Sequence, residues 1–309
     1  MTALLQGGLP AADLLRNEGI EVVEHDPVLR AKEPDLVIAI LNLMPDKVAT
    51  ETQLIRMLGD GHRQVEIVLF ATNAYMARVR DPDFTSANTP VEHMRRYYRS
   101  FDEVRDMDID GLIVTGAPVE REPFEDVPYW EELLDVYAWA QQRQTGVFSI
   151  CWAAQAALRH FHEVPKYVLD RKMFGVFEHR IERHGDLLAG FGDSFRIPVS
   201  RHSEIYREDL PDSPDLVVLA DSDELGLGLL EDRRLRHHYM FNHFEYDADT
   251  LKREYDRDVE AGDAIQLPAH YYPDDDPGQP PVEDWREDGR RMYQNWLATI
   301  EADKDATIE

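Results

Sequence analysis

The sequence predicts an α/β protein: a doubly wound, mostly parallel sheet with helices on both faces. Apolar runs of the kind found in strands buried on both sides occur at Leu36–Leu43, Val65–Phe70, Gly111–Thr115, Gly146–Ile150 and Leu216–Ala220. Helix-like stretches separate several of them, which is the alternation a parallel sheet requires. No internal repeat and no interior linker breaks the pattern, so one domain is expected over 1–309. It divides into an N-terminal extension over about 1–34, a core over about 35–262 and a C-terminal loop and helix over about 263–309.

The helices follow from spacing. Thr50–Leu58 carries apolar residues at helical intervals, and Trp130, Leu133, Leu134, Val136, Tyr137 and Trp139 recur among acids after Pro128, a residue suited to a first turn. Both should pack on the sheet. "GVFSI" (146–150) reads as a strand and "WAAQAAL" (152–158) as a helix, which leaves Cys151 on the turn between them. "LGLGL" (225–229) has two glycines of a phosphate loop but not the further glycine or the lysine, and reads as a turn or edge strand. "DDDPGQPP" (274–281) is a loop ahead of an amphipathic segment around Trp285–Ile300, and the tail after Glu301 is expected to fray.

Composition narrows the function classes. The chain has 309 residues, 43% of them hydrophobic, enough for a sizeable core. Its 61 acidic against 33 basic side chains give a net charge of −28, which repels nucleic acid and anionic lipid alike. Neither is expected as a partner. Such an acid excess suits a salt-rich cytoplasm, where screening shortens self-repulsion. A single cysteine cannot form an internal disulfide, Met1–Gly19 lacks the pattern of a secretory signal, and no run approaches the roughly 20 apolar residues of a spanning helix. A cytoplasmic setting is expected.

Cys151 carries the chemistry. A lone cysteine is most often a small buried hydrophobe, but open α/β sheets place their sites at the carboxyl ends of strands. At a strand-to-helix turn the next backbone N–H is free, which activates a thiol and stabilises an oxyanion. A thiolate nucleophile also needs a base of fixed tautomer. "MFNHFEYD" (240–247) offers one: if that stretch is extended, His243 and Glu245 point the same way, and the carboxylate can hold the imidazole towards Cys151. His237 and His238 have neither a helical partner pair nor a cysteine pair, so no metal site is expected. On residue chemistry alone, acyl transfer and amide hydrolysis are equally open, and a redox-sensing thiol with an incidental histidine is a third reading.

Several words of the sequence, in order over most of the chain, resemble the homoserine O-acyltransferase family of methionine biosynthesis, whose fold is like that of class I glutamine amidotransferases, a flavodoxin-like three-layer arrangement. They are "LNLMPDKVATETQ" (41–53), "NTPVEH" (88–93), "DGLIVTGAPVE" (110–120), "CWAAQAAL" (151–158), "KMFGVFEH" (172–179), "SRH" (200–202) and "EYDADTLKREYDRDVEAG" (245–262). The resemblance implies ping-pong acyl transfer with no bound cofactor: Cys151 takes the acyl group from acyl-CoA, and His243, oriented by Glu245, deprotonates the hydroxyl of L-homoserine. It implies acceptor contacts from Lys172, Ser200 and Arg257, and an oxyanion hole from the backbone N–H groups of Trp152 and Val119. In that family, glutamate directly after "TGAPV" accompanies acetyl-CoA and glycine accompanies succinyl-CoA. Here it is Glu120, whose carboxylate would repel the distal carboxylate of a succinyl group. A homodimer is a common arrangement for such enzymes.

The resemblance has two departures. The base motif, usually Gly-His-Pro-Glu, is "NHFE" (242–245), and Val199 stands where a histidine usually precedes the acceptor-site serine. Succinyl transfer, or a shorter acceptor such as serine, stays open on those grounds. A glutamine amidotransferase is the main enzymatic rival, although such enzymes usually flank the nucleophile with glycines, where this chain has Ile150 and Trp152.

Overall fold

The structure is a computed structural model that describes residues 2–25, 34–59 and 63–308. The chain runs β1 (Thr2–Gln6), α1 (Ala11–Asn17), β2 (Glu21–His25), β3 (Leu36–Leu41), α2 (Lys47–Leu58), β4 (Gln64–Ala71), α3 (Asn73–Arg80), α4 (Val91–Tyr97), β5 (Arg99–Ser100), α5 (Phe101–Val104) and β6 (Gly111–Val114). It continues α6 (Trp130–Gln142), β7 (Gly146–Ile150), α7 (Trp152–His162), β8 (Tyr167–Ile181), β9 (Ser194–Glu204), β10 (Leu216–Ser222), β11 (Gly226–Asp232), β12 (His237–Met240), α8 (Thr250–Glu260) and α9 (Arg286–Ile308).

All these strands join one sheet in the order β2-β1-β4-β3-β6-β7-β12-β11-β10-β8-β9, with β5 paired to β4. From β2 to β12 neighbouring strands are parallel, and from β12 to β9 they are antiparallel. Alternation along β3 shows how the two faces are covered. Ile38 and Ile40 enter a core with Leu54 of α2 and Trp296 of α9, while Val37, Ala39 and Leu41 enter another with Leu133 of α6 and Leu158 of α7. Sheet and helices therefore form three layers. The order also reverses beside β3: β4 lies to one side, and β6 and β7 to the other. Crevices at the carboxyl ends of strands at such a reversal are where ligands bind.

Four expectations need correction. The N-terminal stretch read as an extension supplies β1 and β2, and Ala3 and Leu5 are buried in the core. Leu216–Ala220 belongs to an antiparallel strand, because only a short turn separates β10 from β11 and a parallel partner needs a long crossover. Of "LGLGL", Leu225 lies on the turn, and residues 226–229 open β11 in the interior of the sheet and not at its edge. The tail after Glu301 continues α9, with Lys304 Nζ 3.0 Å from Asp110 Oδ2. Among the described residues, no helix is long and apolar enough to cross a membrane.

Candidate active site

Strand pairing brings Cys151 and His243 together. β7 and β12 are parallel neighbours with Ile150 opposite Met240, and the Cys151 N–H donates to the Met240 carbonyl at 2.7 Å. Cys151 therefore leaves the carboxyl end of one strand as the segment carrying His243 leaves the next. Its backbone has φ 53° and ψ −118°, a conformation a side chain rarely adopts, and it heads α7 directly. This is the strained strand–turn–helix elbow that lifts a nucleophile above a sheet. Gly116, after β6, makes room for it: a Cβ there would stand 3.2 Å from Cys151 Cβ and 3.8 Å from His243 Cε1.

His243 Nδ1 lies 2.6 Å from Glu245 Oε1, with both side chains buried. The pair does not form as the sequence suggests. The segment is a turn and not an extended strand, and the His243 N–H is held by the Pro198 carbonyl of β9 at 2.9 Å. Burial lowers the pKa of His243, but the charges of Glu245 and Cys151, and hydrogen bonds to both, hold it well above its ordinary value. The same contacts fix the ring, with one nitrogen on Glu245 and the imidazole within hydrogen-bonding reach of Cys151. Tyr246 stacks on the imidazole, ring centroids 4.2 Å apart.

Cys151, His243 and Tyr246 line a cavity of about 680 Å³ that also takes in Met44, Glu120, Lys172, Ser200, Arg257 and Asp258. A larger cleft of about 960 Å³ lies at the amino ends of β3, β6 and β7, with Asp108, Arg143 and Lys304 on its walls and none of this chemistry. The cavity's polar wall is organised by Glu254, which the sequence reading missed. Its Oε2 accepts from Lys172 Nζ at 3.0 Å and from the Ser200 hydroxyl, and its Oε1 accepts from the Tyr246 hydroxyl at 2.8 Å. Burial would raise this carboxyl, but Lys172 and the three hydrogen bonds hold it below the ordinary value. Lys172 Nζ also reaches Asp258 Oδ2 at 3.1 Å, and Arg257 donates to Asp258 Oδ1 at 2.6 and 2.8 Å. Glu254 and Asp258 are four apart on α8 and so share a face, a signal that "EYDADTLKREYDRDVEAG" does contain.

Glu120 is not a solvent-facing loop charge. It lines the cavity, accepts the His202 N–H at 3.3 Å, and is raised by burial against the opposing pull of that N–H, Lys172 and His243. Lys166 Nζ holds its loop by donating to the Glu120 carbonyl at 2.6 Å. Trp152 begins α7, where first-turn N–H groups have no intrahelical acceptor. The Val119 N–H is turned to the Ala117 carbonyl at 2.9 Å, so it serves an oxyanion only if that bond opens. The unusual residues lie outside the cavity. Val199 packs with Phe177 and Leu225, Phe244 packs against Phe195, and the Asn242 amide meets His179.

Among the described residues, no group of three His, Cys, Asp or Glu side chains is placed to hold a metal ion. His237 Nε2 lies 2.7 Å from Ser149 Oγ in the core.

Comparison with solved structures places the fold. A glutamine amidotransferase from Thermotoga maritima superposes with a TM-score of 0.55 at 13% identity, covering 86% of this chain and 97% of the other. Another glutamine amidotransferase, from Methylobacillus flagellatus, gives 0.51 at 15% identity, covering 85% and 94%. Sequence similarity reaches further. A homoserine O-acetyltransferase of Ruegeria pomeroyi is 46% identical over 94% of this chain and 91% of its own, and one of Acetivibrio thermocellus is 44% identical over 96% and 95%. The sequence profile described as homoserine O-succinyltransferase matches residues 2–306, and with these relatives it shows that the chain belongs to that family of acyltransferases.

Proposed function

We propose that the protein is an L-homoserine O-acetyltransferase that works through an acyl-enzyme on Cys151. The observation that carries the mechanism is the strained Cys151 elbow facing a histidine whose other nitrogen is held by Glu245. The Cys151 sulfur attacks the thioester carbonyl of acyl-CoA, the oxyanion is met by the N–H groups at the start of α7, and the CoA thiol leaves with a proton from His243. Homoserine then takes its place. His243 accepts the hydroxyl proton, the oxygen attacks the Cys151 thioester, and the thiol is released with the ester.

The rest of the cavity serves recognition. Arg257 and Ser200 meet the acceptor's carboxylate, and Lys172 and Glu254 supply a paired charge beside it that suits a zwitterion. Glu120 supports acetyl over succinyl, since a half-buried carboxylate in the cavity wall repels a second one. A nucleophilic thiol must stay reduced, which suits the cytoplasm.

Release of free CoA from acetyl-CoA or succinyl-CoA, with L-homoserine as acceptor, tests this reading. Turnover of acetyl-CoA that disappears in Cys151→Ser supports it. A preference for succinyl-CoA overturns the donor assignment, and ammonia release from glutamine overturns the reaction.

A further inference from the structure

Three residues that the chemistry leaves unused meet behind the base: the second glycine of "LGLGL", the histidine that ends "KMFGVFEH", and the asparagine before His243. His179, on β8, and Asn242 are both fully buried. Asn242 Nδ2 lies 3.0 Å from His179 Nε2, and His179 Nδ1 lies 3.3 Å from the Phe177 carbonyl oxygen. One tautomer meets both contacts: Nδ1–H donates to Phe177, and bare Nε2 accepts from the amide. Burial, aided by the charge of Arg201, pushes the imidazole down to about 4, so the accepting nitrogen persists at neutral pH.

The ring has a fixed seat. It stacks on Phe195 with planes 5° apart, and on another side a Cβ at Gly228 would come within 2.2 Å of His179 Cδ2. Only glycine leaves that space. The Gly228 carbonyl accepts the Phe241 N–H at 3.1 Å, so three successive residues are each tied to a different strand. Phe241 is held by β11, Asn242 by β8, and His243 by the Pro198 carbonyl of β9.

We propose that His179 and Asn242 are positioning residues: their hydrogen bond, seated over Gly228, fixes the turn that aims His243 at Cys151. The proposal rests on His243 acting as the base. A turn held at three successive points keeps the imidazole in place without a rigid backbone residue beside it, and small displacements of a catalytic group are costly. Asn242 touches neither substrate nor cavity, so its loss should leave binding alone.

The test uses His179→Phe, which keeps the ring and removes the acceptor, His179→Gln, which retains an acceptor, and Asn242→Ala. In the full-length protein, kcat and both KM values are measured beside Tm and the rate of Cys151 alkylation by iodoacetamide across pH. His179→Phe and Asn242→Ala should each lower kcat about tenfold, with both KM values within about twofold of wild type. The double variant should be no slower than the slower single one, and His179→Gln should recover most of the loss. Alkylation should follow the same order. That readout needs no acyl acceptor, so a wrong assignment of the reaction would silence wild-type turnover and leave the alkylation order intact. Full kcat in folded Asn242→Ala, additive losses, or His179→Gln as slow as His179→Phe would overturn the proposal. Should His179→Phe not fold, Asn242→Ala and His179→Gln decide the matter by the same criteria.

Discussion

His243 Nδ1 and Glu245 Oε1 stand 2.6 Å apart with both side chains buried, and this contact determines which imidazole nitrogen can serve Cys151. Glu245→Gln keeps the shape and removes the charge. By analogy with triads that lose their carboxylate, kcat should fall by about 10² to 10⁴.

The same pair makes stability depend on pH. Despite burial, Glu245 and Cys151 hold His243 well above its ordinary value. Such a histidine contributes stability that is whole below about pH 6.5 and is lost as pH rises through the raised value. Calorimetry above pH 6.5 should therefore show a steeper fall of Tm in wild type than in Glu245→Gln. Equal slopes would contradict the coupling.

Glu120 should act as a donor filter. Glu120→Gly should raise kcat/KM for succinyl-CoA about tenfold or more relative to acetyl-CoA. Because burial raises the pKa of Glu120, the carboxyl loses its charge at a higher pH than an exposed glutamate would. Discrimination by the wild type should then narrow as pH falls, which paired assays with the two donors would measure.

Most residues that the structure gathers at the candidate site stand out in the sequence, and each one that does not has a physical reason. The apolar runs at β3, β4, β6 and β7 and the elbow at Cys151 are local patterns, and local patterns survive folding. The antiparallel half is not local. Lys172 and Ser200 face one cavity because β8 and β9 form a long hairpin, and period-2 spacing does not reveal a partner. Glu254 was hidden among 61 acids, since its importance comes from three donors that lie far from it in sequence or on another element. The departures at Asn242, Phe244 and Val199 were visible, but only packing shows that they turn away from the cavity.

Loss of the Glu254 charge should affect binding and stability together. Glu254→Gln leaves Lys172 with Asp258 as its remaining ion-pair partner and loosens Ser200 and Tyr246. It should raise KM for homoserine about tenfold and cost about 1 to 2 kcal/mol of stability by denaturant titration, since hydrogen bonds weaken while Lys172 keeps a charged partner. A carboxyl held below its ordinary value adds stability above about pH 4.5 that is lost as pH falls through the folded value. The variant should therefore show less acid destabilisation than wild type.

Arg257 should not tolerate lysine. Its guanidinium places two nitrogens on Asp258 Oδ1 at the cavity wall, and a point charge cannot present the same planar fork to a carboxylate. Arg257→Lys should raise KM for homoserine about tenfold and change KM for acyl-CoA little. An equal rise for both substrates would place Arg257 outside acceptor recognition.

On the proposed mechanism, Cys151 carries the acyl group between donor and acceptor. Mixing the protein with acetyl-CoA in the absence of acceptor, then measuring intact mass and mapping peptides, tests it directly. One acetyl adduct should appear on the peptide containing Cys151, be discharged on adding L-homoserine and be absent in Cys151→Ser. Turnover without an adduct, or an adduct that persists in Cys151→Ser, would contradict it.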